Sequence, residues 1–90
     1  MGKDLIILCV QRGLGWQRMK RTEAIALLKE LAGLELIQPS MVLIEQRCPD
    51  KYQLCVKGFY NLQELRGYTQ IHNLGLEEDR TRDILCIFKP

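Results

Sequence analysis

Apolar positions in this chain alternate between two spacings, and the alternation itself predicts the elements. Leu5 to Val10 is an unbroken run, Leu-Ile-Ile-Leu-Cys-Val, as expected for a strand over Asp4 to Gln11 that is covered on both faces. Ala24, Leu27, Leu28 and Leu31 recur every three or four residues, which places them on one face of a helix. Thr22 is the candidate N-cap of this helix, with Glu23 in its first turn, where a carboxylate suits the helix dipole. Gly33 reads as the left-handed residue that stops the helix, with Leu34 folding back on Leu28.

Pro39-Ser40 then interrupts the chain before Met41 to Arg47, a second strand rich in β-formers, and Tyr52 to Lys57 forms a third after the turn residues Pro49-Asp50. A three-residue loop, Pro49 to Lys51, keeps Val42, Ile44, Leu54 and Val56 on one face of this hairpin. A loop of two or four residues would instead bring Glu45 to the core side with Leu54. Beyond Gly58, Asn61 can cap a second helix running through Leu62, Leu65, Thr69 and Ile71 to about Leu74. Gly75 repeats the role of Gly33, and Leu76 is expected to fold back on Ile71. Glu77 to Asp83 reads as a solvated loop leading to a last strand, Ile84 to Phe88.

Two stretches recur. Leu8-Cys9-Val10 returns as Leu54-Cys55-Val56, and Gly33-Leu34-Glu35 returns as Gly75-Leu76-Glu77, after which Val42-Leu43-Ile44 falls on Ile84-Leu85-Cys86 without a gap. The chain therefore divides into two βαβ half-repeats, about 4–47 and 52–88, within one domain spanning 1–90. The fold class they imply is α+β, a ferredoxin-like βαββαβ sandwich: a four-stranded antiparallel sheet with two helices on one face. In this arrangement the strands 4–11 and 52–57 are central. The helix-facing core is expected to hold Ile6, Leu8, Val10, Val42, Ile44, Leu54, Val56, Ile84 and Cys86, packed on Leu27, Leu28, Leu31, Leu62, Leu65 and Ile71.

Composition narrows the function classes without choosing one. Ninety residues, 47% hydrophobic and 27% charged, belong to an ordinary globular chain, and a net charge of +2 is too small to imply a polyanionic partner by itself. The longest apolar run is far short of the roughly 20 residues that span a bilayer, and no basic leader with a small-residue cleavage site precedes it. The expectation is a cytoplasmic protein with no membrane association. Cys9, Cys48, Cys55 and Cys86 lie singly, without CxxC spacing, and are read as reduced structural thiols. His72 is the single histidine, so neither a metal site nor a catalytic triad is legible, and no cofactor is expected.

Two constellations remain. The loop from Arg12 to Arg21 carries Arg12, Arg18, Lys20 and Arg21 around Trp16, residues suited to phosphate contact and base stacking, with Gly13 and Gly15 able to bring backbone N–H groups near an anion. It lacks both the dinucleotide fingerprint and the P-loop pattern. Lys57-Gly58-Phe59-Tyr60 resembles the opening of the RNP1 motif of RNA-recognition domains, but the following residues and the first strand carry no matching aromatics, so Phe59 and Tyr60 are read as corner packing. The second constellation is the sheet face opposite the helices, where the ferredoxin-like register places Leu5, Ile7, Cys9, Leu43, Cys55, Leu85 and Ile87 inside a rim of Glu45, Arg47, Gln53 and Lys57. An apolar patch of that kind meets a partner, and a homodimer is the simplest case. The expected function is thus a non-enzymatic interaction or regulatory module that self-associates or binds a protein through this face. The alternative is a nucleic-acid or phosphate-ligand binder using residues 12–21.

Overall fold

The computed structural model describes residues 19–49 and 51–90. Along them run α1 (Arg21–Gly33), a 3-10 turn (Pro39–Met41), β1 (Val42–Cys48), β2 (Lys51–Val56), α2 (Leu62–Ile71), β3 (Gly75–Asp79) and β4 (Ile84–Phe88). The four strands form one antiparallel sheet in the order β1-β2-β4-β3. The protein is thus α+β, with two helices and a four-stranded antiparallel sheet among the described residues.

The sheet is assembled differently from the ferredoxin-like expectation. That reading placed the strand 4–11, which lies outside the described residues, between the third strand and the last. Here β2 is bonded directly to β4, with Leu54 opposite Ile87, Cys55 opposite Cys86 and Val56 opposite Leu85, so no slot is left between them. The fourth strand is β3, formed by residues expected to be a loop. Glu77, Glu78 and Asp79 have little intrinsic preference for a strand, but β3 is an outer strand, where exposed charge is tolerated and deters pairing with other chains. Among the described residues the order of elements is therefore αββ repeated, with two hairpins meeting at β2 and β4.

Both helices serve one cluster. Ala24 and Leu31 of α1 and Leu65 of α2 are buried with Leu54, Val56, Leu85 and Ile87, and Val42, Ile44, Leu62 and Leu76 pack around them. A hydrogen bond of 2.7 Å from the Tyr68 hydroxyl to Glu30 Oε2 joins the two helices. Burial, and then this carboxylate, push the Tyr68 phenol up to about 12. Lys89, beyond β4, pairs with Glu23 of α1. Thr69 is a buried polar residue of α2 and is satisfied locally, its hydroxyl donating to the Arg66 carbonyl at 2.8 Å.

Helix ends shift from their expected places by up to three residues, α2 stopping at Ile71 and not near Leu74. Lys20, not Thr22, is the N-cap of α1, so Glu23 stands at the third position and accepts the Lys20 backbone N–H at 3.3 Å. Asn61 caps α2 as expected, its side-chain oxygen accepting from the N–H groups of Gln63 and Glu64 at 2.9 and 3.2 Å. Each helix closes in a Schellman motif, but its left-handed residue is Glu35 (φ 58°) in the first and Asn73 (φ 53°) in the second, not Gly33 or Gly75. Leu36 donates to Leu31, and Leu74 to Thr69, across these ends at 3.0 and 2.7 Å. Leu34 and Ile71, expected to turn inward, are exposed instead.

The β1–β2 hairpin reaches the expected face by another route. Val42 pairs with Val56 and Ile44 with Leu54, so all four share the helix side. Yet the chain turns between Cys48 and Lys51, and the register shifts between Gln46 and Cys48. A bulge at Arg47 supplies the extra residue that the longer loop was expected to provide.

In β4 the two faces are exchanged. Leu85 and Ile87 belong to the helix-side cluster, while Ile84 and Cys86, expected in that core, form a second small cluster with Cys55 on the opposite face. All five residues of β4 are buried, so Ile-Leu-Cys-Ile-Phe offers no polar position to mark a face. The half-repeat that matches Ile84 to Val42 is therefore one residue out of register with the sheet. The pairing in the sheet matches Leu85-Cys86-Ile87 to Leu54-Cys55-Val56.

Candidate interaction face

The face opposite the helices is built by alternation along the strands. β1 contributes Leu43, Glu45 and Arg47, β2 contributes Gln53 and Cys55, β4 contributes Ile84 and Cys86, and β3 contributes Glu77 and Asp79, through the pairs Leu43–Cys55, Glu45–Gln53, Cys55–Cys86, Glu77–Cys86 and Asp79–Ile84. Leu43 is 72% exposed, and Met41 beside it is 46% exposed. A groove of 580 Å³ lies here, lined by Met41, Leu43, Cys55 and Ile84 with Glu45, Lys57 and Arg82 at its polar edge.

A charged network crosses this face. Arg82, in the turn between β3 and β4, donates from Nε to Asp79 Oδ2 at 2.8 Å and from Nη1 to Glu45 Oε2 at 2.6 Å. Because β2 and β4 lie between β1 and β3, the Arg82–Glu45 pair ties one hairpin to the other. Glu45 also accepts from Gln53 Nε2 at 2.9 Å and pairs with Arg47 at 3.5 Å. Gln53 is buried, and its amide finds Glu45 and the Cys55 sulfur, at 3.7 Å, as partners. The hydrogen bond from Arg82 holds the Glu45 carboxyl below the usual carboxylate range against the opposing effect of burial. Asp79 is held well below that range by the Thr81 hydroxyl first and by Arg82 second, and the two carboxylates raise Arg82 in turn.

The structure brings together part of what the sequence nominated. Leu43 and Cys55 lie on the face, as do the rim residues Glu45, Arg47 and Gln53, and Lys57 lines the groove. Leu85 and Ile87 are on the helix side and leave the set. Leu5, Ile7 and Cys9 lie outside the described residues, and so do Arg12, Trp16 and Arg18 of the basic loop. Of that loop, Met19, Lys20 and Arg21 are described: Met19 is buried in the helix-side core, and Lys20 and Arg21 are exposed at the start of α1. Ile84, Cys86, Asp79 and Arg82 were missed. In the sequence Arg82 reads as part of a solvated run, and only the reach of its side chain across two strands gives it a role. Cys86 had a signal in the sequence: Leu85-Cys86-Ile87 is a third version of the Leu-Cys-Val triplet.

His72 stands at the C-cap of α2 with its ring 4.2 Å from that of Tyr68. Among the described residues no three His, Cys, Asp or Glu side chains are grouped to hold a metal ion, and no helix is long and apolar enough to cross a membrane. Phe59 forms a bridge with Ile37 at the corner between β2 and α2, and Tyr60 beside it is exposed. Comparison with protein-family models, with curated proteins and with solved structures finds no match to this chain.

Proposed function

We propose that the protein is a non-enzymatic interaction module that meets a second copy of itself through the sheet face opposite the helices. The observation that carries this reading is Leu43, 72% exposed beside an apolar groove on the face to which neither helix contributes. Leaving Leu43 and Met41 in water forgoes about 25 cal/mol for each Å² that a partner could cover. The face also carries its own electrostatic complement, since Glu45, Glu77 and Asp79 share it with Arg47 and Arg82. Two copies related by a two-fold axis can therefore oppose unlike charges around a Leu43 contact, which is the isologous geometry of most small homodimers.

The test is solution mass by light scattering at micromolar concentration. The wild-type protein is expected at twice the 10.5 kDa chain mass, and Leu43→Glu at the mass of one chain, still folded because the residue is exposed in the protomer but melting lower because association no longer stabilises it. A wild-type protein at single-chain mass would sink the reading.

A further inference from the structure

We propose that Cys55 and Cys86 form a reversible thiol–disulfide site that closes between the two central strands on reaction with a small disulfide such as oxidised glutathione. The proposal stands on register and not on the proposed dimer; because that dimer would cover the same face, the exchange is assigned to the free protomer. Cys55 and Cys86 are direct partners in the β2–β4 ladder, on the same face, and both are free thiols in the structure. Residues directly opposite in an antiparallel ladder have Cα atoms roughly 4.5 to 5.5 Å apart, inside the range of about 4.4 to 6.8 Å that a disulfide spans. Closure therefore asks for side-chain rotation and not for movement of the strands.

The two sulfurs are chemically unequal. The interaction between the two thiols is the leading cause of both shifts, holding Cys86 below the ordinary thiol range and Cys55 above it. The charged groups facing them are Arg82, which favours the thiolate, and Glu45 and Asp79, which oppose it. Cys86 is then the attacking sulfur and Cys55 the resolving one. Each is reached from its own side of Arg82: Cys55 lines the apolar groove, whereas Cys86 lines a second groove of 470 Å³ with Gln53, Asp79 and Arg82.

The exchange balances. The Cys86 thiolate attacks one sulfur of the small disulfide, forming a mixed disulfide and expelling one thiolate. Cys55 loses its proton to solvent and its sulfur attacks Cys86 Sγ, forming the Cys55–Cys86 bond, breaking the mixed disulfide and expelling the second thiolate. Two protein thiols are oxidised, one small disulfide is reduced to two thiols, and the protons given up by the protein are taken by the products. Both residues are less than a tenth exposed, so the reaction is expected to be slow and to be governed by the redox poise once equilibrated.

The test uses the wild-type chain equilibrated in glutathione buffers of increasing oxidised fraction, quenched with acid, alkylated, digested and mapped by mass. A linked pair of peptides containing Cys55 and Cys86 is expected under oxidising conditions, and it should disappear with excess reduced glutathione. Cys55→Ala should halt the reaction at a glutathione adduct on Cys86. The oxidised protein should also melt higher, by roughly 10 °C or more, because the bond closes a loop of about 30 residues. Persistence of both thiols in fully oxidised buffer would overturn the proposal, as would a link to Cys9 or Cys48 in place of the one named. A fall in melting temperature on oxidation would overturn it too, since the bond would then form against the ladder.

Discussion

Gly33-Leu34-Glu35 closes a helix, whereas Gly75-Leu76-Glu77 opens an outer strand, although the two tripeptides are identical. The glycines show what separates them. A methyl group added to Gly33 would meet nothing within 4 Å, while one added to Gly75 would come within 2.4 Å of the Phe88 ring. In the first copy the left-handed turn of the chain falls on Glu35, inside the tripeptide; in the second it falls on Asn73, before it. What differs is the neighbour that each meets. Gly75 pairs with Phe88, and Leu76 with Ile87, so β4 draws the second copy into the sheet. A local sequence is thus a weak prior that tertiary contact overrides.

The most disruptive test of this contrast is substitution at the two glycines. Gly75→Ala is expected to lower stability by about 1 to 3 kcal/mol, because Phe88 is buried and its ring must move to admit the methyl group. Gly33→Ala is expected to raise it by about 0.5 to 1 kcal/mol, since a helical position with open space gains only from reduced chain entropy. Urea unfolding of both variants measures the difference. Equal effects at the two positions would show that the copies are equivalent after all.

A smaller contrast separates the starts of the two helices. α2 has Asn61 as a side-chain cap, and α1 has Lys20, whose side chain offers the helix no acceptor. Asn61→Ala should cost about 1 kcal/mol, and Lys20→Ser should gain up to about as much, because a serine hydroxyl can accept from the Glu23 N–H while the Glu23 carboxylate keeps the N-cap N–H. Thermal melts of the two variants would sharpen the comparison; a stabilising Asn61→Ala would break it.

The least of the expected effects concerns the link between the halves. Glu45 has a lowered folded-state pKa, so it contributes stability that is present above its unfolded value near 4.5 and is lost as pH falls through the folded value. The urea midpoint of the wild-type protein should therefore fall as the pH drops below about 4.5, and Glu45→Gln should flatten part of that dependence. Because the carboxylate is partly solvated, the effect will be modest, and added salt should reduce it further. A variant with the wild-type pH dependence would remove Glu45 from the link.

The sequence by itself determined most of the local structure. Periodicity located α1 and α2, Asn61 announced its own cap, and alternation in Val42, Ile44, Leu54 and Val56 put four side chains on the helix side regardless of how the turn was made. These features depend on residues close in the chain, where steric and hydrogen-bonding preferences act without reference to the rest of the molecule. Half of the candidate face was legible for the same reason, since Leu43, Glu45, Gln53 and Cys55 follow from that one hairpin.

Only the tertiary structure decided the remainder. β3 is a strand because β4 supplies its hydrogen-bond partners, and nothing in Gly-Leu-Glu-Glu-Asp asks for one. The facing of β4 rests on its neighbours because every position in Ile84 to Phe88 is apolar and buried, and a uniform run carries no register. The pairing of Cys55 with Cys86 and the reach of Arg82 to Glu45 join residues 31 and 37 positions apart. Such contacts are fixed by which strands lie side by side, a choice that the burial of both hairpins makes jointly and that no single segment encodes.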